Sequence, residues 1–377
     1  MRVESIALRR VAMRLRTPFE TSFGVTYDRS VLLVEMVADG VRGWSEITAM
    51  TEPVYNSETV GTAWLITRDV LAPMLLGKTL SAASEVPALF SSVRGHEMAR
   101  AGLENALWDI EAQQKGVPLA RLLGGSRTEI ACGVSLGLQS GPEVLLQKAA
   151  KELAAGYQRI KLKIKPEKDL SYVAAVRKAH PEILLSVDAN SAYTLQDAEH
   201  IKRLDDYGLL MIEQPLWWDD IYAHSKLQKQ LKTSICLDES IRHLRNAQTA
   251  VELDAARIIN VKLGRVGGHS SARAIQAYCL EKNIPVWCGG MLECGVGRAH
   301  NVAMSALPGF TLPGDVSASK RYWVEDVIEP EVEVSPQGTI RVPQTPGLGY
   351  RVRTDLIERW TTEKETWRAL EARGFSS

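Results

Sequence analysis

Through the first 125 residues the hydrophobic pattern is mixed. Val31–Met36 and Gly43–Ile47 are apolar runs on either side of Asp39-Gly40, which predicts a β-hairpin, and helical spacing follows near residues 57–74 and 96–115. Residues 1–125 therefore read as an α+β unit. After Gly124-Gly125 the pattern becomes regular: IACGVSLGL, a helix from about Pro142, RIKLKI, a helix from about Lys168, then ILLSVDAN. Strands alternating with amphipathic helices imply a parallel sheet with helices outside it, here over residues 126–320. Beyond Lys320 the alternation of VEVSPQGTIRV and a polar helix from about Thr354 predict a tail, 321–377, that packs back on the N-terminal unit.

Three of the strand-like runs end in an acid. LLSVD reaches Asp188, LLMIE reaches Glu213 and SICLD reaches Asp238, at intervals of 25 residues, and RIINVK puts Lys262 a further 24 residues on. One strand–helix unit thus separates each from the next. A closed parallel barrel gathers successive strand ends around one mouth, whereas an open doubly wound sheet spreads them along a line and relies on a Gly-rich phosphate loop that this chain lacks. The barrel is the better reading.

Composition narrows the partner. Of 377 residues, 45% are hydrophobic and 24% charged, enough to bury the core of a barrel plus a smaller unit. Lys+Arg and Asp+Glu both number 45, so no field of one sign draws the chain to nucleic acid or a membrane surface, and a small molecule is the expected partner. Arg2, Arg9, Arg10, Arg14 and Arg16 interrupt the apolar residues near the N-terminus, which excludes a signal-peptide core there. No stretch is long and apolar enough to span a bilayer. Cys132, Cys236, Cys279, Cys288 and Cys294 form an odd set with no C-x-x-C, which fits a reducing cytoplasm.

The acids are the first chemical candidates. A single carboxylate at a strand end is as readily a helix cap, but three converging on one mouth repel unless a cation holds them. Three hard oxygen ligands suit Mg²⁺, with Mn²⁺ as substitute, better than Zn²⁺. His243 falls outside the run and reads as a surface or capping residue. The second candidate is the stripe Arg159, Lys161, Lys163, Lys165, alternating with Ile160, Leu162 and Ile164. On an ordinary strand this would be a solvated face. In a barrel the outer face must be apolar, so the basic face points inward toward the acids.

Together these residues suggest a mechanism. A proton α to a carboxylate is lost only if the enediolate is stabilised, which a divalent ion does, and a lysine serves as base only if its pKa falls toward neutrality. Lys163, flanked by cations, has that setting, with Lys262 across the mouth. CGGMLECGVG lacks the lysine of a phosphate loop and reads as a tight loop offering N–H groups to a substrate carboxylate. FETSFG, residues 19–24, suits either a lid or a plain strand connection.

KLK at 161–163, VDAN at 187–190, IEQP at 212–215, LDES at 237–240 and VKLGRVGG at 261–268, with TPF at 17–19, GGMLECGVGRAHN at 289–301 and LPGDVSAS at 312–319, carry a resemblance across nearly the whole chain. It resembles the muconate-lactonising subgroup of the enolase superfamily, and within it the o-succinylbenzoate synthase and N-succinylamino acid racemase family. The resemblance implies a modified (β/α)8 TIM barrel, (β/α)7β, with an α+β capping domain built from the N-terminal segment and C-terminal tail. It places metal ligands at Asp188, Glu213 and Asp238, acid/base lysines at Lys163 and Lys262, and Lys161 beside the substrate carboxylate. Substrate contacts follow at Ser135, Gly290 and Met291, and Arg265 is expected to tune Lys262. The implied reaction is syn dehydration of 2-succinyl-6-hydroxy-2,4-cyclohexadiene-1-carboxylate in menaquinone synthesis, or racemisation of N-succinylamino acids, by a cytoplasmic homo-oligomer. A muconate cycloisomerase would share the core. A dipeptide epimerase typically has Asp-x-Asp where this chain reads Asp315-Val316-Ser317. A metal-stabilised barrel that only binds would not need both lysines buried.

Overall fold

The fold was analysed in a computed structural model, which describes residues 1–369. Strands β1 (Val3–Thr21), β2 (Gly24–Ala38) and β3 (Val41–Ile47) form an antiparallel meander. The β2–β3 turn is the expected one: Asp39 and Gly40 have φ of 47° and 74°, the left-handed pair a tight two-residue hairpin needs. Helix Glu97–Gln114 packs on this sheet, and a Cβ on Gly43 would stand 2.6 Å from Ile110 Cγ1, so glycine there lets helix and strand meet. The earlier helical segment runs from Val60 to Leu75 through one wider turn at Thr67–Leu71.

Seven parallel strands follow: β4 (Gly133–Leu136), β5 (Arg159–Lys163), β6 (Leu184–Asp188), β7 (Ile212–Glu213), β8 (Ile235–Leu237), β9 (Ile258–Val261) and β10 (Val286–Cys288). They pair in sequence order, each with the next. The gap between β10 and β4 is closed by Phe310–Asp315, which makes bridges rather than a regular strand. Val286 pairs with Phe310 and Cys132 with Gly314, and N–H groups of Asp315 and Gly133 donate to Cys288 O (2.8 Å) and Gly314 O (2.7 Å). The eighth position of the barrel is thus filled by main-chain bonds around a Pro-Gly pair.

The polar helix expected from Thr354 lasts only to Trp360. The chain then forms β11 (Thr361–Arg368), which pairs antiparallel with β1. The alternating run before it contributes Thr339–Arg341, paired with Glu129–Ala131 at the foot of β4. β11 covers the edge of β1 that would otherwise expose unpaired main-chain groups.

Candidate active site

Inward-facing residues of neighbouring barrel strands meet in rows set by register. Lys163, Asp188 and Glu213 are laterally paired across β5, β6 and β7. Glu213 pairs with Cys236, so Asp238 stands two residues further along, just past the end of β8. Ile160, Leu162 and Ile164 are buried under the outer helices, while Arg159 and Lys161 are almost fully enclosed on the inner side. The basic stripe points inward, as the barrel requires.

Cations and carboxylates interleave inside the mouth. Lys161 Nζ lies 2.7 Å from Glu213 Oε2, 2.8 Å from Asp315 Oδ2 and 3.3 Å from Asp188 Oδ2. Lys163 Nζ donates to Asp188 Oδ2 at 2.5 Å and to Asn190 Oδ1 at 2.6 Å. Lys262 Nζ donates to Asp238 Oδ2 at 2.8 Å and to the Tyr55 hydroxyl at 3.2 Å. Arg265 bonds Asp238 as well and reaches Tyr55 OH at 3.0 Å. Arg265 and Lys262 thus share both partners, Asp238 and Tyr55. Asn260 Nδ2 donates to Glu213 Oε1 at 2.7 Å.

Lys161, Lys163, Lys262 and Arg265 each pair with a buried carboxylate, as the desolvation cost of a buried cation demands. Burial works against ionisation of Asp188, yet Lys163 and Lys161 hold it down at about 2. Glu213 is raised, first by burial and then by the Asp188 charge. Glu239 is pushed up to about 7 by burial and by Asp188. For Lys262, burial favours the neutral amine, but Tyr55, Glu239, Glu213 and Asp188 outweigh it and hold the lysine above its ordinary range. Lys161 is raised in the same way, by Asp315, Glu213 and Asp188. Carboxylates are the nearest charged neighbours of both Lys161 and Lys262, which is why these two lysines sit above their ordinary range.

The donor set fits a hard divalent ion. Asp188, Glu213 and Asp238 supply carboxylates from consecutive strand ends, and the buried Glu239 Oε2 beside them has no hydrogen-bond partner. Among the described residues, however, no three such side chains already stand in metal-binding geometry. The ammonium groups of Lys161, Lys163 and Lys262 hold the carboxylate oxygens instead.

Ser135, on β4, is buried and donates to Asp315 Oδ2 at 3.1 Å, so it meets the Lys161 cluster through that carboxylate. Gly290 and Met291 follow β10 in a tight loop. A Cβ on Gly290 would come within 2.8 Å of Asp315 O, and Leu292 takes a left-handed φ of 57°. Asn190, Ser191 and Gln214, just past their strand acids, also have positive φ, and such strained non-glycine backbone gathers at functional mouths. His243 is exposed and precedes helix Leu244–Glu252, away from the cluster. The stretch 19–24 is the far end of the β1–β2 hairpin: Phe19–Thr21 close β1, Ser22-Phe23 make the connection and Gly24 opens β2. Its tip, Ser22 and Phe23, lines a cavity of about 630 Å³ with Tyr55, Asn190, Trp217 and Glu239, so the connection also roofs the mouth.

Sequence reasoning missed Tyr55, Asn260 and Glu239. Asn190 and Glu239 fall inside the motifs VDAN and LDES, and Asn260 lies two residues before Lys262 on the inward face of β9, so period-2 alternation could have found it. Tyr55 comes from a loop of the N-terminal segment and carries no local signal.

The sequence matches the family described as "Enolase C-terminal domain-like" over residues 145–356 and "Mandelate racemase / muconate lactonizing enzyme, N-terminal domain" over residues 4–124. An o-succinylbenzoate synthase of Geobacillus kaustophilus is 50% identical over 360 residues, covering 95% of this chain and 96% of the relative. An N-succinylamino acid racemase of Thermus thermophilus is 44% identical over 361 residues, covering 96% and 98%. The crystal structure of an enolase-superfamily member from Listeria innocua superposes with a TM-score of 0.95 at 42% identity, covering 98% of this chain and all of that one. Enolase-superfamily sites in general pair a lysine or histidine base with one or two Mg²⁺ ions, which is the chemistry this donor set suits. A barrel that carries Asp188, Glu213 and Asp238 at the ends of consecutive strands, capped by an N-terminal segment whose loop supplies Tyr55, and matched in both halves, belongs to the mandelate racemase and muconate lactonizing enzyme family of the enolase superfamily.

Proposed function

We propose that the chain is an o-succinylbenzoate synthase that requires a divalent metal ion, Mg²⁺ by preference, and that the same machinery racemises N-succinylamino acids. The observation that carries this reading is the placement of Lys163 and Lys262 on different sides of the Asp188, Glu213 and Asp238 carboxylates. When bound to these carboxylates, a divalent cation supplies positive charge that stabilises an enediolate and lowers the proton affinity of nearby lysines.

In the dehydration, Lys163 Nζ as free amine takes the α proton of 2-succinyl-6-hydroxy-2,4-cyclohexadiene-1-carboxylate, and the electron pair is delocalised into the carboxylate. The C–O bond on the same face then breaks, and the leaving hydroxide takes the proton from Lys163 to depart as water. Lys262 stays an ammonium beside the dianion, and Lys161, held by Asp315, pairs with the substrate carboxylate. In racemisation one lysine removes the α proton and the other delivers a proton to the opposite face.

The Asp315 surroundings weigh against a dipeptide epimerase. Its carboxylate is already engaged by Arg159 (2.5 Å), Lys161 (2.8 Å) and Ser135 (3.1 Å), leaving it poorly suited to a substrate ammonium. Racemisation as a real second activity is supported by relatives named for each reaction at 43–50% identity. The test is kcat/KM of the Mg²⁺-loaded protein for dehydration and for N-succinylamino acid racemisation. Dehydration at or above the racemisation rate is expected, racemisation alone would make the second activity the main one, and inactivity on both would overturn the assignment.

A further inference from the structure

The basic stripe does not stop at the catalytic pair. Arg159, Lys161 and Lys163 alternate with buried apolar residues, and Lys165 continues the alternation one step outward. Ile164 N–H still donates to Asp188 O at 2.9 Å, so the chain is in sheet register up to the residue before it. Lys165 lines the cavity of about 630 Å³ above the site. That cavity also touches Asn190, which bonds Lys163, and Tyr55, which bonds Lys262, so its wall stands one hydrogen bond from each of the two lysines. Phe23, Val54, Pro166 and Trp217 make much of its remaining wall apolar. Among the described residues no carboxylate lies within salt-bridge distance of Lys165, whereas Lys161, Lys163 and Lys262 are each paired.

We infer that Lys165 binds the distal carboxylate of the succinyl group. The inference rests on the function proposed above and supplies the residue that makes the site selective for succinyl substrates. In both substrates five bonds separate the α carbon from the distal carboxylate carbon: through the amide nitrogen of an N-succinylamino acid, or through ring carbon 2 of the cyclohexadiene. Three main-chain bonds span 3.8 Å, so five extended bonds span about 6 Å. Residues two apart on a strand are separated by about 6.6 Å. With Lys163 at the α carbon, Lys165 therefore stands where the far end of the succinyl chain arrives, and the two methylene groups lie along the apolar wall. One cation thus serves two otherwise dissimilar substrates because both carry the same chain at the same reach.

The experiment compares kcat/KM for an N-succinylamino acid and for its terminal-amide counterpart, in the wild type, Lys165→Met and Lys165→Arg, all loaded with Mg²⁺. The wild type is expected to favour the carboxylate about tenfold or more, the order of a charge-assisted hydrogen bond. Lys165→Met should bring the ratio close to one through KM, and Lys165→Arg should keep most of it. A preference that survives in Lys165→Met, or equal losses on both compounds, would overturn the inference while leaving the catalytic assignment standing. A wild type inactive on the succinyl substrates overturns that assignment, and the inference with it.

Discussion

Lys262 illustrates how much of this chemistry depends on what occupies the carboxylates. Asp238, Glu239 and Tyr55 around it raise its proton affinity, and in the proposed reaction a cation sharing the carboxylate charge would lower it. Chelation with EDTA should therefore abolish turnover and added Mg²⁺ restore it. A second readout needs no substrate: binding to the folded chain alone adds about 2.7 kcal/mol of stability at a hundredfold excess over Kd, so Mg²⁺ should raise Tm by several degrees. Activity and Tm both indifferent to chelation would contradict the metal assignment. At this scale the acids and lysines were legible because each ends a strand and recurs at one strand–helix unit. Tyr55 was not: its partner Asp238 lies 183 residues away, and contacts that distant leave no periodic trace.

Between elements, the clearest coupling runs from β3 to the helix Gly295–Ser305. Glu46 accepts a hydrogen bond from Cys294 N–H at 2.9 Å, capping that helix from another sheet, in the loop that also holds Gly290 and Met291. Burial, reinforced by Glu293, pushes Glu46 from its ordinary 4.5 to about 8. A carboxyl that holds its proton more tightly folded than unfolded contributes stability fully below the unfolded value and loses it as pH rises through the folded one. Stability should then fall between pH 5 and pH 8 by as much as a few kcal/mol, and Glu46→Gln should flatten that fall. Denaturant titrations at the two pH values check this, and an unchanged slope in the variant would count against it. The sequence pattern located β2, β3 and the main helices, whose apolar spacing is local. It did not show that the chain from Thr361 becomes a strand, because TTEKETWR is largely polar and is fixed as β11 by pairing with β1.

Across the whole molecule, the central feature is a closed barrel that brings Lys163 and Lys262, from strands far apart in sequence, to one group of carboxylates. Closure depends on Phe310–Asp315, a segment without strand periodicity whose main chain bonds both neighbours, and this is why the barrel was inferred from the rhythm of its acids rather than from eight strands. The N-terminal segment adds Tyr55 from a loop and Phe23 from the hairpin tip, so the mouth is complete only when both parts are folded together. The most direct test of this arrangement is α-deuterium exchange of each enantiomer of an N-succinylamino acid in D₂O, followed by NMR with the Mg²⁺-loaded wild type, Lys163→Ala and Lys262→Ala. The two-base account predicts that each variant loses exchange from one enantiomer, by about 10² to 10⁴-fold, and that the affected enantiomer is opposite in the two variants. Loss of exchange from the same enantiomer in both, or exchange that persists in either variant at the wild-type rate, would contradict it.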